Sequence, residues 1–139
     1  METARQPDTD ARRRGHASSV ALKAAFKIAE RWELTDAQLA TLLGGVPLAT
    51  LRRWKRQLRQ AGQVRTALTR DQLDRVSYLL GIHKALHILF PNAAQADGWV
   101  KRPNTAPGFD GRPALDIMLQ GGMDDLRNVR RHLDAWRGW

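Results

Sequence analysis

Between Phe90 and Gly122 the chain places four of its six prolines and five of its eleven glycines. That density rules out a long helix there and leaves short helices joined by forced turns. Pro91 ends the helix before it, because its ring lacks an N–H and collides with the preceding turn. Asn92, with Gln95 three residues later, reads as a reciprocal helix cap, and a short helix is expected from Ala93 to Lys101. Pro103-Asn104 and Pro107-Gly108 then hold the backbone extended or turned. Phe109 is the one large apolar side chain able to pin this loop to a core. Pro113 suits the first position of the next helix, where its missing N–H costs nothing.

The flanking sequence is helical by periodicity. From Ser18 onward, Val20, Leu22, Ala25, Phe26, Ile28, Ala29 and Trp32 form one apolar face of a helix ending near Glu33. Thr35 caps a second helix, Asp36 to Leu43, and Gly44-Gly45 interrupts it; a third runs from Pro47 to about Gln60, with Gly62 as its stop. The small Ala40, four residues before a left-handed turn at Gly44, gives this pair the look of a helix-turn-helix. Thr69 and Gln72 form a capping box for a long helix to Phe90, whose apolar residues cover more than one stripe and predict burial on two sides. In the last helix Met123, Leu126, Val129, Leu133 and Trp136 face inward, while early Asp124 and Asp125 and late Arg130, Arg131 and Arg137 complement the helix dipole. The expected fold class is all-α, with a helix-turn-helix bundle followed by a small helical domain. Residues 1–17, nearly devoid of large apolar groups, are read as a disordered basic arm. Residues 18–66 are read as the helix-turn-helix region and 67–139 as the second domain.

Charge is uneven along this layout. Residues 1–66 hold 13 Lys+Arg against 6 Asp+Glu, net +7, and residues 67–139 hold 10 against 8, net +2, together the formal +9. An excess of that sign favours nucleic acid through phosphate contacts and counterion release. Between Pro47 and Ala61 there are five basic residues and no acidic one. On a helical wheel Leu48, Leu51, Trp54 and Leu58 lie on one side of this helix, Ala49, Arg52, Arg53 and Arg56 lie opposite, and Thr50 and Gln57 flank them. The single sign of charge favours a recognition helix in a major groove over a solvated face. Ala49, Thr50 and Arg53 would approach base edges, and Arg52, Arg56 and Arg59 the phosphates or a guanine.

Other chemistries are missing. With no cysteine there are no disulfides or thiolate metal sites. No apolar run is long enough to span a bilayer, and the polar N-terminus lacks a signal peptide's apolar segment, so a cytoplasmic protein is expected. His83 and His87 stand at i and i+4, but the sequence indicates no third ligand, and neither metal nor cofactor is expected. Gly108 to Pro113 lacks the lysine and the serine or threonine of a phosphate loop, and Ser18, Ser19 and Ser77 sit in no nucleophile motif. No catalytic set is present, and the chain is not expected to be an enzyme.

The series Trp99, Pro103-Asn104, Phe109, Gly111, Pro113-Ala114-Leu115, Met118, Gly122, Val129 and Leu133 resembles the Xre/MbcA/ParS toxin-binding domain of antitoxins that neutralise RES-domain toxins. The likeness covers roughly the last third of the chain; Arg112 departs from the small polar residue frequent before the proline. The resemblance implies a type II antitoxin whose N-terminal half dimerises and binds operator DNA, repressing its own operon. Its C-terminal half would cover the NAD pocket of a cognate RES-domain toxin, an enzyme that degrades NAD or uses it for ADP-ribosylation. Carried over to matching positions, Trp99, Pro103, Asn104, Gly111 and Pro113 would shape the toxin-binding domain. Arg131, Arg137, Gly138 and Trp139 would approach the toxin's active site, where a guanidinium suits a pocket that holds a pyrophosphate. The alternative is a helix-turn-helix regulator whose C-terminal half senses a small molecule, which requires an enclosed apolar pocket.

Overall fold

The computed structural model describes residues 7–138, with side chains from residue 10 onward. In chain order the helices are α1 (Pro7–Arg31), α2 (Asp36–Leu42), α3 (Leu48–Ala61), α4 (Arg70–Leu89), α5 (Ala93–Gly98) continued by a 3-10 turn (Trp99–Lys101), α6 (Ala114–Met118) and α7 (Met123–Trp136). Among the described residues the only β feature is an isolated antiparallel bridge between Pro103 and Pro113. The fold is all-α, as expected.

Side-chain caps set the starts of α2, α4 and α5. Thr35 accepts the Gln38 N–H while Gln38 Oε1 accepts the Thr35 N–H. Thr69 and Gln72 make the same reciprocal pair at the head of α4. Asn92 accepts the Gln95 N–H at 3.0 Å, one half of the cap expected there. Pro113 sits one position earlier than expected, flanking α6 with extended backbone (φ −60°, ψ 148°) rather than opening it.

α1 begins at Pro7, not at Ser18, so residues 7–17 are helical rather than part of a disordered arm; residues 1–6 lie outside the described region. Once the apolar segment from Leu22 to Trp32 is anchored, each further helical residue adds a hydrogen bond without a new nucleation cost. Alanine and arginine, frequent here, are good helix formers. The side chains of Ser18 and Ser19 then fasten the helix to the connection between α3 and α4. Ser19 Oγ donates to the Gly15 carbonyl and accepts the Val64 N–H at 2.9 Å, and Ser18 Oγ accepts the Leu68 N–H at 2.8 Å. Both serines are buried, as are Val64 and Leu68, so these bonds satisfy backbone groups that water does not reach.

α4 packs against α1 on one side and α7 on the other, the two-sided burial its sequence predicts. Val76, Leu79, Ile82, Ala85 and Leu86 are buried, though Leu80 and Ile88 stay exposed. The buried residues form one continuous cluster running from Leu22 to Leu133. Trp32 and Trp54 belong to it, as their apolar faces indicated, and so does Trp99. Arg75 is buried on α4: its Nε donates to Asp71 at 2.8 Å and its Nη1 to the Gly121 carbonyl at 2.8 Å. It therefore ties α4 to the turn before α7, beside the Gly44 turn.

Candidate nucleic-acid interface and partner-binding groove

α2 and α3 form the helix-turn-helix. The turn is made by Gly44 (φ 97°) and Gly45 (φ 86°), and the N–H groups of Gly45 and Val46 both donate to the Ala40 carbonyl. Val46 is buried and anchors the turn, while Leu51 and Trp54 anchor α3. Leu48, expected on the apolar side, is 38% exposed; it stands in the first turn of α3, before the helix meets the core.

The expected nucleic-acid residues separate into groups. Ala49, Arg52, Arg53, Arg56 and Arg59 are exposed, and Thr50 and Gln57 half-buried. Arg53, Arg56 and Gln57 border a cleft of about 690 Å³ between α3 and the first turns of α1. Arg12, Gly15 and His16 close it from α1 and Arg65 from the connection, with no acidic residue among its walls. Arg52 is turned elsewhere: its Nε lies 3.4 Å from Asp36 on α2, and Lys55 Nζ reaches the same carboxylate at 3.3 Å. Arg59 lines a different cleft, shared with Lys23, Lys27 and Glu30 of α1. Gln57 Oε1 accepts the Arg65 N–H at 3.3 Å, which commits its oxygen to holding the connection. His16 and Arg65 were not singled out from the sequence, and Arg12 was assigned to a free arm. For Arg12 and His16 the available signal was Pro7, a residue favoured at a helix start; no local signal marks Arg65, which follows α3.

In the C-terminal part the proline- and glycine-rich stretch is an ordered loop. Its ends meet at the Pro103–Pro113 bridge. The Asn104 carbonyl accepts the Gly111 N–H at 2.9 Å, and its side-chain oxygen accepts the Ala106 N–H at 2.9 Å. Gly111 (φ 78°) and Gly108 (φ 93°) supply the left-handed turns. Phe109 is buried, as expected, with its ring edge-on to Trp99 (6.3 Å) and to His132 (4.8 Å). Burial lowers the His132 pKa, so the neutral imidazole is the favoured form.

The loop and α7 border an open groove of about 680 Å³ that brings together Trp99, Pro103 and Asn104 with Arg102, His132 and Trp136. Trp136 is 53% exposed and meets Phe90 edge-on at 5.6 Å, so aromatic groups continue from the groove onto the surface. Gly111 and Pro113 support the loop but do not line this groove. Arg131 is exposed at the end of α7, and Gly138 (φ 83°) follows the helix. Arg137, expected to reach into a partner, has a side chain only 7% exposed, with Nη1 3.8 Å from Asp134. An acid three residues earlier on the same helix draws it back onto its own chain. Trp139 lies outside the described residues.

One further cluster departs from expectation. A third potential ligand does stand beside the histidine pair: Asp97 of α5, whose Oδ1 lies 2.7 Å from His87 Nε2 and 3.6 Å from His83 Nε2.

Two protein-family models match the chain: the antitoxin Xre-like helix-turn-helix domain over residues 13–81 and the antitoxin Xre/MbcA/ParS C-terminal toxin-binding domain over residues 85–138. The two matches meet within α4, the helix that serves both parts of the core. The chain is also similar to the uncharacterized protein y4oB of Sinorhizobium fredii, at 44% identity over 117 residues, 84% of each chain. Neither matched domain is of a catalytic kind, and among the described residues no helix is long and apolar enough to cross a membrane. A basic helix-turn-helix and a looped, aromatic-lined toxin-binding domain thus follow each other in the order both matches require, and the chain belongs to the Xre-type antitoxins of toxin–antitoxin systems.

Proposed function

We propose that this antitoxin neutralises a RES-domain toxin by covering its NAD pocket, and represses its own operon as a dimer bound to operator DNA. The observation that carries the reading is the presence of two surfaces with no residue in common: an acid-free basic cleft on α1 and α3, and an open aromatic groove on the loop and α7. Residues 18–66 would then carry operator and dimer contacts, joined by Arg12 from the first turns of α1, and residues 67–139 the toxin contacts. On DNA, α3 lies in the major groove. Ala49, Thr50 and Arg53 meet base edges, and Arg56, with Arg12 and Arg65, grips phosphates on the α1 side. Arg52 contributes only after leaving Asp36, and Arg59 contacts a phosphate on the other side of the helix.

On the toxin, Trp99, Pro103, Asn104 and Trp136 form the docking surface, with Gly111 and Pro113 holding its loop in shape. Arg131 and the tail Arg137-Gly138-Trp139 extend toward the NAD pocket, and Arg137 must first release Asp134. Neutralisation is by occlusion: the toxin loses access to its substrate, and no chemistry is required of this chain. A compartment shared with DNA and NAD, the cytoplasm, follows from the same reading. The sensing-regulator alternative calls for an enclosed apolar pocket, whereas the C-terminal groove here is open and edged by polar groups.

The test separates the surfaces. Arg53→Ala with Arg56→Ala should weaken operator binding and leave neutralisation unchanged, while Trp136→Glu should do the reverse. Equal loss of both activities in both variants would contradict the division.

A further inference from the structure

The cluster His83, His87 and Asp97 has the composition and placement of a metal site. His83 and His87 stand one helical turn apart on α4, with ring centroids 4.3 Å from each other. Asp97 comes from α5, and the candidate ligand atoms of the three residues all lie within 4.8 Å of one another. Zinc–nitrogen and zinc–oxygen bonds of about 2.0–2.2 Å place neighbouring ligands of a tetrahedral ion roughly 3.4 Å apart. The observed 3.6 Å from His83 Nε2 to Asp97 Oδ1 fits that edge, and the 2.7 Å from His87 Nε2 opens to it with a small side-chain rotation.

Two details point to a ligand. His83 Nε2 is buried and has no hydrogen-bond partner, a state that ordinarily costs stability. Arg31 of α1 lies 3.7 Å from the other carboxylate oxygen, Oδ2, and so orients Oδ1 toward the imidazoles as an outer-shell partner does. A cleft of about 380 Å³ between α1 and α4, lined by Lys27, Arg31, His83 and His87, gives access.

We propose that His83, His87 and Asp97 bind one divalent first-row transition ion, zinc foremost, with solvent as fourth ligand. Two imidazoles and one carboxylate suit such ions, whereas magnesium and calcium require oxygen ligands throughout. The basic neighbours Lys27 and Arg31 oppose a cation by charge, so affinity comes from the coordinate bonds. The bound ion fixes α5, which leads into the groove-bearing loop, against the helix shared by both parts of the chain. Its role is structural.

The test uses the untagged full chain, stripped with chelator, and titrates it with Zn²⁺ by calorimetry and with Co²⁺ by visible absorption. One equivalent should bind, with the intense d–d bands of a four-coordinate cobalt ion, and Zn²⁺ should raise the melting temperature. Asp97→Asn and His83→Gln should each reduce affinity by more than the roughly 10–100-fold that loss of an outer-shell partner costs. His83→Gln with His87→Gln should abolish the melting shift while leaving the metal-free melting temperature near that of the parent. His16→Gln and His132→Gln should bind as the parent does. The proposal is overturned if the parent binds no tighter than the double variant, or if binding follows His16 or His132.

Discussion

Ser18 and Ser19 stand in a stretch whose sequence looks merely polar, yet each occupies a buried position where its hydroxyl is the sole reach to a backbone N–H of the connection between α3 and α4. Ser19→Ala or Ser18→Ala strands that donor away from water and should cost about 1–3 kcal/mol in denaturant unfolding; an unchanged midpoint would mean that water replaces the hydroxyl. His132 makes a second residue-scale prediction. Its pKa is lowered in the folded chain by burial, so above the ordinary histidine value both folded and unfolded states are neutral and no dependence arises. As pH falls through that value, about 6.5, the unfolded chain takes up a proton that the folded chain resists, and stability declines. His83 acts in the same direction. The protein should therefore melt lower at pH 5 than at pH 7.5, and His132→Phe should flatten part of that slope; a melting temperature that rises on acidification contradicts the assignment.

Elements were legible where a cap or a stop agreed with the period. α4 opens on its Thr69–Gln72 cap, and α3, which opens on Pro47 without a side-chain cap, has its apolar period and its Gly62 stop (φ 72°); both appear where the pattern puts them. α1 was legible only from its apolar half. Its first turns have no apolar stripe and are held by backbone continuity and by serines that act across roughly fifty residues of sequence, a separation no local pattern reports. Arg75 escaped notice for the same reason, since its partners include the distant Gly121 carbonyl. The basic face of α3 was legible, but not that Asp36 claims Arg52 or that α1 completes a cleft with Arg53 and Arg56. Likewise the histidine pair could be seen in the sequence, while Asp97 joins it only once α5 has folded back on α4. The helix-turn-helix joint itself can be probed at Gly44. A Cβ there would sit 3.1 Å from Arg75 Nε on a backbone with φ of +97°. Gly44→Ala should thus destabilise by about 1–3 kcal/mol and weaken operator binding by tilting α3, whereas Gly45→Ala, with open space around it, should strain the backbone alone.

Across the whole molecule, one continuous core supports two unlike surfaces, and α4 is the element they share. The operator surface is electrostatic, so its affinity should fall steeply with salt. Arg53→Ala with Arg56→Ala should reduce the slope of log affinity against log salt by about 1 for each phosphate-binding arginine removed; a weaker affinity with an unchanged slope would make these residues base readers only. The proposed toxin surface is aromatic, and on this reading the tail adds to it. Removing residues 137–139 should spare operator binding and impair neutralisation, and full neutralisation by the truncated chain would remove the tail from the mechanism.

The most direct measurement co-expresses this chain with the product of the adjacent reading frame, tags one of the two, and follows NAD with and without the antitoxin. A complex that survives purification, together with NAD levels protected by the antitoxin, is the predicted result. A neighbour that forms no complex, or that consumes NAD equally in its presence, would contradict the account of a RES-toxin antitoxin.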